Sequence, residues 1–188
     1  MYRFDHTEIV GQLFELAKEG KESECIKLLS QHPELLYEEL NRIDTKMIHL
    51  ASYYNLSHVV DYLVEHDVNI HELNFNGENA IFYAKHENMI KKLHSLGISL
   101  NNCNAAGYSS LMIACVKNDI NKVKWLIETG VDVNIVDPWD WSILDYIKEG
   151  RLNINISFLM NYYDKFNPKN QKKLKKLRLK HLVELGTV

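Results

Sequence analysis

One segment type recurs along this chain, and its period limits the possible folds more than any single motif does. The segments begin at Asn41, Asn74, Asn104 and Asp137, so successive starts lie 33, 30 and 33 residues apart (74 − 41, 104 − 74, 137 − 104). A fixed period of this length describes small units that bury their apolar faces only against their neighbours. Within the first segment, Ile48, Leu50 and Ala51, then Val59, Val60, Leu63 and Val64, follow the three-to-four spacing of two short amphipathic helices. Asn55 and Asn118 fall between such helices, where a left-handed residue is needed and asparagine tolerates it best after glycine. Ser109 and Ser142 stand where a first helix begins and can cap it, with Gly77 and Gly107 in preceding turns. The expectation is an all-α chain of about ten short helices. Hairpin-like turns are placed near 41–45, 74–78, 104–108 and 137–141, with little strand.

The third segment carries the clearest motif. Gly107-Tyr-Ser-Ser-Leu-Met-Ile-Ala114 is similar to the Gly-x-Thr-Pro-Leu-His-x-Ala of ankyrin repeats, and Gly130-Val-Asp-Val-Asn134 to their Gly-Ala-Asp-Val-Asn ending. Gly97-Ile-Ser-Leu-Asn101 and Asp67-Val-Asn-Ile-His71 are weaker forms of that ending. No segment keeps Thr-Pro, only His49 keeps the motif histidine, and the 30-residue unit lacks about one helical turn of chain between Ala84 and Met89. The resemblance implies an ankyrin-repeat solenoid of helix-turn-helix units over residues 1–163. A capping pair would occupy 7–40, with Leu13, Leu16, Ala17, Cys25, Leu28 and Leu29 inward. Repeats would follow at 41–73, 74–103 and 104–136, then a degenerate repeat at 137–163 whose second helix covers Asn153–Tyr163. After the break at Asn167-Pro168, residues 164–188 would hold a basic amphipathic helix, Lys169–Leu185.

Composition narrows the function. With 46% hydrophobic and 25% charged residues the chain is built to fold. Its longest apolar run, Leu111–Val116, is far short of the ~20 residues of a transmembrane helix. The polar start, Met1 to His6, does not suit a secretory signal, and three cysteines cannot form a disulfide framework, so a reducing, cytoplasmic setting is expected. No Cys-x-x-Cys, His-x-x-x-His or His-Glu-x-x-His spacing occurs, which argues against a structural metal. Cys25 and Cys115 fall on inward helix faces, and Cys103 sits near a hairpin tip without a cation to activate it. Glycine turns such as Gly77-Glu-Asn-Ala have neither the lysine nor the second glycine of a phosphate loop. Acid pairs such as Glu22/Glu24 and Glu38/Glu39 read as solvated faces. No catalytic residue, cofactor or metal ligand is expected. His49, by the resemblance, ties adjacent turns by hydrogen bonds.

What remains is surface. In ankyrin repeats partners meet the concave side, formed by hairpin tips and the outer edge of the first helices. Carried onto this sequence, that rule selects Arg42, Tyr53, Tyr54, Phe75, Tyr108, Lys117, Trp139 and Trp141. Aromatics of this kind are enriched among interface hot spots. The competing reading is that they pack onto the next hairpin or the C-terminal helix. The resemblance therefore implies a monomeric, non-enzymatic module that binds another protein. The Asn-, Ile-, Lys- and Tyr-rich composition is similar to that of short ankyrin proteins of intracellular bacteria and large viruses, which makes a host-directed effector the expectation by analogy.

Charge offers a rival. Residues 164–188 carry eight Lys/Arg and two acids, a net of +6, so the rest of the chain carries −3 − 6 = −9. Leu174, Leu177, Leu182 and Leu185 share one side of the tail helix. Lys172, Lys173, Lys175, Lys176, Arg178 and Lys180 form a possible anion-binding set. The helix is read either as a cap with leucines docked and lysines outward, or as an element that binds an anionic membrane, nucleic acid or an acidic partner.

Overall fold

The computed structural model describes residues 3–41, 44–150 and 156–184. Among them there is no strand; one isolated β-bridge pairs Cys103 with Ser109. The chain divides into two compact units, Met1–Ser99 and Leu100–Val188.

In the first unit, α1 (Arg3–Lys18) packs on α2 (Glu22–Gln31), and a 3-10 turn (Pro33–Leu36) leads on. Helices α3 (Met47–Tyr53) and α4 (Ser57–Glu65), then α5 (Ala80–Tyr83) and α6 (Glu87–Ser95), form two further pairs. Leu13, Ala17, Cys25, Leu29, Met47, Ile48, Leu50, Ala51, Val59, Val60, Leu63, Ile90 and Leu93 are buried where α1 packs on α3, α2 on α4, α3 on α5 and α5 on α6. Each fully buried leucine or valine of this set contributes about 1.5–3 kcal/mol relative to an exposed one. Val64 departs from the expected inward stripe and is 40% exposed. At about 100° per residue it lies on the edge of the arc centred on Val59, Val60 and Leu63. The first helix of the 30-residue segment, α5, has four residues where its counterpart in the next segment has seven, which accounts for the three missing residues.

In the second unit, α7 (Ser110–Val116) pairs with α8 (Ile120–Thr129). Next come α9 (Ile143–Lys148), α10 (Ile156–Met160), a 3-10 turn (Tyr163–Lys165) and α11 (Pro168–Glu184). The expected helix Asn153–Tyr163 is thus α10 plus that turn; residues 153–155 lie outside the described residues. Leu144, Leu159, Phe166 and Leu174 are buried where α9, α10 and α11 pack together.

The turns show why the segments align on Asn and Asp. The Asn74 side-chain oxygen accepts the N–H groups of Asn76 and Glu78 at 2.9 and 3.0 Å, and that of Asn104 accepts Ala106 and Tyr108 at 3.1 and 3.0 Å. The backbone N–H of each returns a bond to the carbonyl of the residue four further on, Glu78 and Tyr108. Such a turn needs φ > 0 at its fourth residue, filled by Gly77 and Gly107. Between paired helices, Asn55 (φ 60°) and Asn118 (φ 52°) take the left-handed conformation expected of them.

Several helix starts are satisfied by side chains. Ser109 accepts the Met112 N–H at 3.2 Å, and Ser142 forms a capping box with Asp145. Glu22 is not a solvated acid: its carboxylate accepts the N–H groups of His58 and Val59 at the start of α4, where the helix dipole favours negative charge.

His49, fully buried, accepts the Lys46 N–H on Nδ1 (3.0 Å) and donates from Nε2 to the Glu78 carbonyl (3.1 Å). Accepting on Nδ1 requires the neutral imidazole, and burial lowers the His49 pKa from its ordinary 6.5, outweighing the Glu78 carbonyl and nearby carboxylates that favour protonation. The unfolded chain takes up this proton first. Stability is therefore complete above about pH 6.5 and is lost as pH falls through the depressed folded value. A urea-unfolding series from pH 7.5 to 5 should show a steeper decline for the native sequence than for His49→Gln. Equal slopes would refute the linkage.

Candidate protein-binding site

The turn at Asp137 is built from one carboxylate. Asp137 Oδ1 accepts the N–H groups of Trp139 and Trp141, each at 2.9 Å, and Oδ2 accepts the Tyr146 hydroxyl from α9. Asp140 holds φ 61° at the position glycine takes in the two preceding turns. Pro138 packs onto Gly107 of the preceding turn. The outcome for the two tryptophans is divided. Trp139 is 66% exposed, whereas Trp141 is half-buried with its ring edge-on to Tyr146 at 5.1 Å between centroids. Tyr108 stands 5.8 Å from Tyr146, and these four rings line an open hollow of about 320 Å³. Its walls are fixed, because the Asp137 bonds hold the backbone under both tryptophans and Tyr146 is itself buried.

The first unit carries other predicted residues. Tyr53 is exposed and Tyr54 half-buried, with their rings edge to face at 4.8 Å and the Lys85 ammonium 3.5 Å over the Tyr53 ring. Phe75, at the tip of its turn, is 68% exposed. In the second unit Lys117 is exposed at the C-terminal end of α7. Arg42 lies outside the described residues.

The tail helix departs from expectation at one lysine. Leu174 and Leu177 are buried and Leu182 is half-buried, while Leu185 lies outside the described residues. Lys172, Lys175, Lys176, Arg178 and Lys180 are exposed; Lys175 sits 4.9 Å over the Tyr163 ring. Lys173, expected to point outward, turns in and reaches both carboxylate oxygens of Asp145 at 2.7 Å. It sits on the side of α11 that meets α9, where its head finds the carboxylate that caps α9. Burial pushes the Asp145 carboxyl up, but the bonds from Lys173 and Ser142 outweigh it and hold the group below its ordinary value.

Little acid–base or nucleophilic chemistry is on offer here. Burial pushes the Cys115 thiol up to about 12 and the Cys25 thiol up to about 11, and raises Cys103 as well, so none is a ready thiolate. Among the described residues no three His, Cys, Asp or Glu side chains gather as a metal site, and no helix is long and apolar enough to cross a membrane.

A family model described as ankyrin repeats, in three copies, matches residues 48–137. Over this stretch the chain is built of ankyrin repeats. No curated protein matches it. Ankyrin repeats are in general protein–protein interaction modules and are typically non-enzymatic. In this ankyrin-repeat protein the residues that sequence reasoning missed are Asp137, Asp145 and Tyr146. A signal for the first and last exists: Asn74 and Tyr83, nine apart, are hydrogen-bonded at 2.6 Å, and Asp137 and Tyr146 repeat that spacing and that contact.

Proposed function

We propose that this ankyrin-repeat protein is a non-enzymatic binding module of a reducing compartment, and that its second unit holds a partner protein through Tyr108, Trp139 and Trp141. The observation that carries this reading is Trp139. A large indole left 66% exposed on a turn fixed from beneath by a single carboxylate is an anchor that loses little freedom on binding. Selection of an unbiased random-peptide display library against the immobilised protein should enrich binders whose capture falls by ~30-fold on Trp139→Ala, the effect of losing a hot spot of ~2 kcal/mol. Lys124→Gln, an exposed control on α8 outside the lining of the hollow, should leave capture unchanged. Enriched binders indifferent to Trp139→Ala, with Trp139→Ala melting like the native protein, would remove the aromatic hollow as the site.

The second reading, a membrane or nucleic-acid role for α11, draws on its six exposed cations Lys169, Lys172, Lys175, Lys176, Arg178 and Lys180. Binding of that kind weakens steeply with salt, whereas an aromatic protein interface changes far less.

A further inference from the structure

The aromatic hollow does not end at the tryptophans. Trp139 and Trp141 also line a second hollow of about 330 Å³ with Lys169 and Lys173 of α11. Lys173 in turn lines a groove of about 540 Å³ between α9 and α11, floored by Leu144 and Leu177, with Lys176 and Lys180 on its α11 side. Lys169, Lys173, Lys176 and Lys180 are spaced four, three and four residues apart, which places them in one stripe along the helix. The stripe runs away from the tryptophans for about 17 Å, taking 1.5 Å per residue. That is the reach of about five residues of extended chain.

Charge decides what fits. Residues 100–188 carry 13 Lys/Arg against 9 Asp/Glu, a net of +4, although the whole chain is at −3. Within the groove Lys173 is neutralised by Asp145, and Lys148 pairs with Glu149 at 3.2 Å. Lys169 and Lys176 are exposed and have no ion-pair partner among the described residues. Among the described residues the opposite rim carries one uncompensated acid, Asp140 beside the tryptophans, and the Glu149–Lys148 pair at the end of α9. A flat bilayer cannot reach the Leu144 and Leu177 floor of a concave groove. A duplex brings evenly spaced phosphates to both rims, the one with Asp140 included. A polypeptide can set carboxylates against the lysine stripe and uncharged groups against Asp140 and Glu149.

We propose that the hollow and groove together form a docking track for an extended acidic peptide segment: a bulky apolar side chain seats among Tyr108, Trp139, Trp141 and Tyr146, and neighbouring carboxylates lie along Lys169 and Lys176. This rests on the reading of the aromatic hollow as a protein-binding site and adds the chemistry of the partner.

The test is a titration of the full chain with a fluorescein-labelled peptide of one phenylalanine flanked by five glutamates on each side, read by anisotropy. Comparison probes are the same peptide with glutamines for the glutamates, the same peptide with alanine for the phenylalanine, phosphatidylserine vesicles and a short DNA duplex. The acidic phenylalanine peptide should bind tightest. Lys169→Gln combined with Lys176→Gln should weaken it by about five-fold, as two exposed ion pairs allow. Trp139→Ala should weaken it by about thirty-fold, and raising the salt should narrow its advantage over the glutamine peptide. If the glutamine peptide binds equally well while Trp139→Ala still weakens both, the acidic track is overturned and the aromatic site stands. If the phenylalanine-free acidic peptide binds equally well and ignores Trp139→Ala, the aromatic site itself is wrong. Tighter binding of the vesicles or the duplex, lost in the lysine variant, would assign the stripe to a polyanionic surface and overturn the proposal.

Discussion

Gly107→Ala should unfold the second unit under conditions where the native protein is intact. A Cβ at this position would stand 2.1 Å from Pro138 Cδ and 2.7 Å from Cγ, well inside any real contact. Proline cannot swing its ring away, because the ring is closed onto its own backbone. The substitution also places a side chain at φ 81°, a left-handed conformation that costs non-glycine residues about 1–2 kcal/mol. Clash and strain together should cost about 3–5 kcal/mol, at the upper end of single-residue effects. All three tryptophans (Trp125, Trp139 and Trp141) lie in this unit, so urea unfolding followed by tryptophan emission reports on it selectively. Adding Pro138→Ala should restore the clash component and leave the φ component. Gly130→Ala is the comparison: its φ is 109° but nothing lies within 4 Å of the added carbon, so only strain remains. Equal midpoints for Gly107→Ala and Gly130→Ala would mean that the Pro138 contact is immaterial.

Removal of α11 is the second large effect. Its leucines Leu174 and Leu177 are buried with Leu144, Leu159 and Phe166 against α9 and α10. At about 1.5–3 kcal/mol per buried leucine, deletion of residues 168–188 should destabilise the unit by about 3–6 kcal/mol, as loss of a terminal cap does in repeat proteins. Leu174→Ala alone should cost about 2–5 kcal/mol. Lys173→Gln should cost less than about 1 kcal/mol, because the pair with Asp145 is partly solvated and Asp145 keeps its bonds from Ser142. Packing, not charge, therefore decides whether the helix is docked. A truncated chain that melts with the full-length one would show that the leucines stabilise nothing.

The repeat was legible because its turns are written in single residues. Asn74, Asn104 and Asp137 were visible as the starts of a recurring segment before their role in closing the turns was. Asn55 and Asn118 stand where ankyrin repeats usually place glycine, and asparagine is the residue that best takes over its left-handed conformation. The tail cap was readable from leucine spacing, but Lys173 was not, since a sequence does not reveal that the Asp145 carboxylate would lie within its reach. Glu22 escaped for the same reason: its partners, the His58 and Val59 N–H groups, lie more than thirty residues away. Of the aromatic hollow, Tyr108, Trp139 and Trp141 were all selected by the concave-surface rule, but Tyr146 was not. The division between an exposed Trp139 and a half-buried Trp141 depends on the ring of Tyr146, which belongs to the following helix.

The reach of the turn-closing side chains also sets how the chain can be made. Asn74, Asn104 and Asp137 bind N–H groups only two and four residues ahead, so each turn closes a very small loop. Loops of that size and single helical turns form within about microseconds, whereas a ribosome adds roughly 5–20 residues per second. A segment of 33 residues thus takes seconds to emerge, and its turn and helices have sampled their native form many times before the next segment follows. What each new segment waits for is the neighbour that covers its apolar face. Synthesis in the N-to-C direction supplies those neighbours in order, with the helix that closes the series arriving last.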